Sequence, residues 1–137
     1  MIKKFLLYLW QLPQNLLGLL LIAIYKPEIK LTASNGNHVY FSKKMRGGIS
    51  LGQYSIINRR YYKDNHEKSL DTCVVKHEAL GHGTQSRWLG PFYLLVIGLP
   101  SLLWAWIYPC KMFPYSKNGY YRFYTENWAE RLGKVKR

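Results

Sequence analysis

Val74-Val75-Lys76-His77-Glu78-Ala79-Leu80-Gly81-His82-Gly83-Thr84-Gln85-Ser86-Arg87 places two imidazoles and a carboxylate within the six residues from His77 to His82. In the metal-chelating pattern H-E-x-x-H the histidines lie at i and i+4 on one helix face, and the glutamate between them activates a water. Here Gly81 delays the second histidine by one residue. At about 100° per residue, the second ring moves from roughly 40° to roughly 140° away from the first, so an undistorted α-helix would not deliver both to one ion. Glycine is the residue that best accepts a bulge or unwound turn, and a shared ligand at His77 and His82 requires one here.

Asp71 or Thr72 can cap the helix that carries Cys73 to Arg87. Beyond it, Trp88 to Tyr108 is uncharged and largely apolar, with Trp and Tyr at both ends, which fits a membrane segment in length and composition. The last piece, Tyr120 to Leu132, reads as a helix stopped by Gly133 and followed by a solvated Lys-Val-Lys-Arg tail. On it Phe123, Glu126 and Glu130 fall at i, i+3 and i+7, so two carboxylates share a face. Tyr121, Tyr124, Trp128 and Leu132 make the apolar face.

HEALGH (77–82) resembles the HExxGH motif of dipeptidyl peptidase III, a zinc peptidase. Glu126-Asn127-Trp128-Ala129-Glu130 resembles the second motif of that enzyme and of gluzincins, zincin-like metallopeptidases, generally. Carried over residue by residue, the resemblance implies Zn2+ held by His77, His82 and Glu126, with Glu78 as the catalytic base and Glu130 orienting a histidine. It also makes 49–57, as an edge strand beside the metal helix, a candidate to hold a substrate backbone. The match covers about 11 residues, and the chain is far shorter than dipeptidyl peptidase III, so the dipeptide-releasing specificity is not carried over.

The ligand set constrains topology. His77 and His82 precede the apolar stretch and Glu126 follows it, yet each must come within about 2 Å of one ion. A single membrane crossing would separate them, so 89–108 must turn back as a hairpin or lie in the core, and Gly98-Leu99-Pro100-Ser101 is the expected bend. Tyr120, Tyr121 or Tyr124 could offer a phenol donor to a transition state, and His66 could stabilise an oxyanion.

Residues 1–27 open with Met-Ile-Lys-Lys and run largely apolar from Phe5 to Tyr25. No small-x-small cleavage site follows, so the run reads as a retained anchor helix, long enough at 21 residues to span where about 20 are needed. Gln11, Gln14, Asn15 and Gly18 gather on one stripe, which either packs against protein or lies in the interface. Between Ile29–Thr32 and His38–Ser42, Asn35-Gly36 signals a hairpin. Gly47 to Ile57 reads as a third strand with a glycine-marked bend, giving a small antiparallel sheet within 28–66.

With 137 residues the chain fits one domain, 1–137, of α+β class: an N-terminal membrane helix, the sheet, the metal-motif helix, a bent apolar segment and a C-terminal helix. Its net charge of +13 and 16% aromatic content point to anionic lipid headgroups as partners, with Arg59-Arg60-Tyr61-Tyr62-Lys63 as a contact loop. No RRM, KH, zinc-finger or helix-turn-helix pattern accompanies that charge, which argues against nucleic acid. Cys73 and Cys110 lack metal-ligand spacing and suit a reducing compartment; Cys73, four residues before His77, raises a Cys-His pair as a minor alternative.

The expectation is a membrane-associated, zinc-dependent peptidase with its catalytic face cytoplasmic and an undefined peptide substrate. Its rivals are a non-catalytic anchored protein with a structural ion or none, and a basic module docking on lipid or nucleic acid.

Overall fold

The computed structural model describes residues 1–108 and 117–136; residues 109–116 and 137, which include Cys110 and the end of the basic tail, lie outside the described residues. Strand β1 (Ile29–Thr32) pairs antiparallel with β2 (His38–Ser42), Ile29 facing Phe41, around the turn where Gly36 adopts φ +85. Asn-Gly supplies the positive φ that this reversal needs. Strand β3 (Gly48–Leu51) pairs antiparallel with β4 (Tyr54–Asn58), closing on Gly52 at φ +63. A glycine expected to bend one strand over 47–57 therefore reverses the chain into a second hairpin.

β4 lies between β2 and β3 and runs parallel to β2, from His38 opposite Tyr54 to Ser42 opposite Asn58. The sheet is thus mixed, with order β1-β2-β4-β3, and corrects the antiparallel expectation. Alternating side chains report which face is buried and not which way the neighbour runs. One face carries Leu31, Val39, Phe41 and Ile57 into a core completed by Val75 and Ala79 of the motif helix.

The N-terminal run is broken. Helix α1 (Ile2–Trp10) and α2 (Leu12–Tyr25) meet at Gln11 with an 84° bend. Pro13, in the first turn of α2, has no N–H to give a continuing helix. Inward hydrogen bonds then hold the bend: Gln11 Nε2 donates to Ser86 Oγ at 2.7 Å, Gln14 Nε2 donates to the Gly90 carbonyl at 2.7 Å, and Asn15 Oδ1 accepts from the Gln53 N–H at 2.8 Å. The polar stripe packs against protein. Among the described residues no single helix is long and apolar enough to cross a membrane; Ile2–Trp10 and Leu12–Tyr25 reach that length and composition only together, as a pair bent by 84°.

After α3 (His66–Leu70), Thr72 caps the long helical run by accepting from the Val75 N–H. The run comprises α4 (Cys73–Val75), a π-helical turn (Lys76–His82) and α5 (Gly83–Leu89). The chain then turns by 120° at Tyr93 into Leu94–Ile107, whose second part is α6 (Leu99–Ile107). The bend falls before Gly98, not at Gly98–Ser101. Gly90 takes φ +53, a conformation that disfavours a side chain, and a Cβ there would run into the Trp10 indole. Pro100 instead lies inside the continuous run Leu94–Ile107, and the Val96 carbonyl, four residues before it, accepts from the Tyr124 hydroxyl. Helix α7 (Lys117–Tyr120) and a turn precede α8 (Tyr124–Leu132), so the last helix starts at Tyr124 and not at Tyr120.

Candidate metal centre

The π-helical turn is where the inserted glycine is absorbed. An i→i+5 hydrogen-bonded turn holds one more residue than an α-turn, so i and i+5 take the places that i and i+4 normally share. His77 and His82 accordingly face each other, with ring centroids 4.8 Å apart. Gly81 serves a second purpose, since a Cβ there would collide with the Ala129 carbonyl of α8. A Cβ at Gly133 would likewise meet the Lys76 carbonyl. The two glycines let α8 lie directly against the motif helix, and that closeness brings Glu126 and Glu130 to the histidines.

His77 Nε2 lies 3.1 Å from Glu126 Oε2, and His82 Nε2 lies 3.7 Å from the same oxygen. On the far side of each ring, His77 Nδ1 donates to Glu130 Oε1 and His82 Nδ1 donates to Gln85 Oε1, each at 2.7 Å. Carboxylate and amide oxygens only accept, so both Nδ1 atoms carry the proton and both Nε2 atoms point at Glu126. Gln85 is itself fixed, because its Nε2 donates to the Thr125 carbonyl at 3.0 Å. The other Glu126 oxygen accepts from Thr125 Oγ1 at 3.0 Å and from the Ser101 hydroxyl.

One ligand atom from each of His77, His82 and Glu126 lies within 4.8 Å of the others, and all three side chains are buried. This cluster could hold a metal ion. Burial alone would lower the pKa of His77, but hydrogen bonds to Glu126 and Glu130 and the charge of Glu78 raise it to about 9. Burial pushes Glu126 up, and the bonds from His77 and His82 outweigh it and hold the carboxyl well below its usual range. Glu78 is raised by burial, a rise that the charges on His82 and His77 oppose and that of Glu126 reinforces.

A cavity of about 560 Å³ opens onto the cluster. Glu78, His82 and Glu126 lie on its wall, with Tyr93, Ser101 and Tyr120 as further polar groups. One side is β3, the edge strand of the sheet, where a Cβ at Gly48 would stand 2.7 Å from Glu78 Oε1. Tyr93 ties the 120° bend to that strand by donating its hydroxyl to the Ser50 carbonyl at 3.0 Å.

Of the expected tyrosines, Tyr120 lines the cavity, Tyr121 packs edge-on to His77 at 5.4 Å, and Tyr124 donates to the Val96 carbonyl. His66 is exposed on α3 beside Tyr62 and is not part of the cavity wall. The Cys73 thiol contacts the Lys136 carbonyl, and both ring nitrogens of His77 are bonded to glutamates, so no Cys-His pair forms.

Sequence reasoning missed Gln85, Thr125 and Ser101. The i, i+3 spacing of Gln85 from His82 and its place on the motif helix were the available signal. A lone serine in an apolar run was the signal for Ser101. Compared with family models, with curated proteins and with solved structures, the chain matches none.

Proposed function

We propose that this protein is a zinc-dependent peptidase working at a membrane surface. The observation that carries the reading is the convergence of two Nε2 atoms and one carboxylate beside Glu78 at the foot of an open cavity. Two imidazoles, a carboxylate and a free side toward the cavity suit a catalytic zinc site, and an N–H acceptor behind each ring fixes it as such sites require. Zinc bound there supplies Lewis-acid activation of water and of a carbonyl near neutral pH.

The chain's own residues account for the remaining steps. Glu78 takes a proton from water as the water oxygen bonds to the peptide carbonyl carbon. It then returns that proton to the amide nitrogen as the C–N bond breaks, leaving a carboxyl and an amine. A carboxyl raised by burial is better matched to such shuttling than a solvated one. β3 is the edge strand of the sheet and lines the cavity, which suits it to receive an extended peptide at groups other than the Ser50 carbonyl, already held by Tyr93. Support for the membrane surface comes from the basic charge and from the many large apolar side chains exposed on α1, α2 and α6.

Metal analysis and a peptidase assay on the purified protein test this reading. One zinc per chain is expected, lost on His77→Ala. Glu78→Gln should keep the zinc and lower kcat by about 10²- to 10⁴-fold, the usual worth of a general base. Stoichiometric zinc with no hydrolysis of any peptide would make the site structural.

A further inference from the structure

The cavity wall divides into two kinds of surface. Polar groups gather at the foot, around Glu78, His82 and Glu126. Above them the wall is aliphatic: Leu17 and Leu21 of α2 on one side, Leu99, Leu102 and Ala105 of α6 on the other. Residues that line a cavity and are also strongly exposed mark its mouth. Leu17, Leu99 and Leu102 do both, at 42%, 51% and 60% exposure. The mouth is therefore flanked by α2 and α6, with exposed Gly48 of β3 at its third side, and its helical rim is leucine with Ala105.

The surface around that rim is of the same character. Leu16, Leu20 and Ile24, one helical stripe over from Leu17 and Leu21, are exposed on α2, and Leu103 and Trp106 are exposed on α6. A charged or strongly polar peptide would have to shed its hydration at a leucine rim and find no partner until it reached the foot of the cavity. An apolar segment has no charged side chain to desolvate, and its backbone could add along β3, which lines the cavity on its third side and whose Ser50 carbonyl is held by Tyr93.

Resting on the peptidase reading, we infer that the substrate is an extended peptide with bulky apolar side chains beside the scissile bond, admitted from the lipid phase through the α2–α6 mouth. The test uses the full chain with zinc and quenched-fluorescence peptides that differ only in the residues flanking one bond. Each is offered free in solution and anchored by an acyl chain in phosphatidylcholine–phosphatidylglycerol vesicles. Leu or Phe should be preferred over Lys or Asp by more than about tenfold in kcat/KM, since one methylene in an apolar pocket already discriminates by about that much. Anchored peptides should be cleaved faster than free ones.

Leu102→Glu changes a side chain that is mostly exposed, so the core is left intact. It should retain zinc and erode the preference for Leu and Phe over Lys. Hydrolysis indifferent to side-chain charge, or an unchanged preference in Leu102→Glu, overturns the substrate class. Equal rates on free and anchored peptides overturn lipid entry. Zinc-loaded protein that cleaves none of the peptides overturns the peptidase reading itself.

Discussion

His77 meets two carboxylates through two different nitrogens, and that arrangement sets how its metal affinity responds to pH. The bond from Nδ1 to Glu130 directs Nε2 at the site, while Glu126 and Glu130 together hold a proton on the ring up to a pKa of about 9. A metal must displace that proton from Nε2. Below about pH 9 zinc affinity should therefore fall by about tenfold for each unit of pH, with about one proton released per ion bound, and above it the dependence from His77 should flatten. Glu126, held well below the usual carboxylate range, stays ionised throughout and adds no slope. Glu130→Gln keeps an acceptor for Nδ1 but removes a charge, so the levelling should move to lower pH. Zinc titration calorimetry in buffers of differing ionisation enthalpy measures both quantities. An affinity independent of pH between about 6 and 8 would exclude His77 as a ligand.

Between elements, the decisive contact is the close approach of α8 to the motif helix. Gly81→Ala would drive a methyl into the Ala129 carbonyl, so α8 must retreat and take Glu126 with it. We expect a loss of about 1–3 kcal/mol in denaturant unfolding, typical of overpacking, together with loss of zinc binding; wild-type stability and zinc content in this variant would rule the contact out as the determinant. The same comparison of elements explains what the sequence makes legible. Asn35-Gly36 announces its hairpin because few residues accept a φ of +85, and the spacing of Glu126 and Glu130 announces their shared face because helical period is a local property. The widened turn at Gly81 is legible too, once two imidazoles are required to meet. Nothing local encodes the parallel pairing of β2 with β4, since alternation specifies faces and not partners. Nor could Gly90 be read as the end of α5, because Trp10, far away in sequence, packs where a side chain on Gly90 would lie. Gln11 and Gln14 read as a polar stripe and Pro13 as an interruption, but the partner that holds the bend, Ser86, is not named by either.

For the molecule as a whole, charge and apolar surface act through different physics and should respond differently to salt. Apart from Met1, the large hydrophobic side chains exposed among the described residues belong to helices, from Ile2 through Ile24 and from Trp88 through Ile107, with Tyr124 on α8; none belongs to the sheet. The basic excess of 20 Lys and Arg over 7 Asp and Glu includes Arg59 and Arg60, whose guanidinium groups stack on Tyr62 and Tyr61 beside the sheet. Headgroup attraction is screened over about 10 Å at 0.1 M salt, whereas burial of leucine and tryptophan in the interface is not screened. Flotation with vesicles should therefore show tighter binding to phosphatidylglycerol-containing membranes than to pure phosphatidylcholine. Raising salt from about 0.05 to 0.5 M should narrow that difference without releasing the protein. Glu78→Gln, which alters only the buried site, should bind as the wild type does. Complete release at high salt would mean that the apolar helices do not touch lipid, and would leave electrostatic docking as the whole of the attachment. Failure to float with any vesicle at low salt would remove the membrane surface from the proposal while leaving the metal centre to be judged by its zinc content.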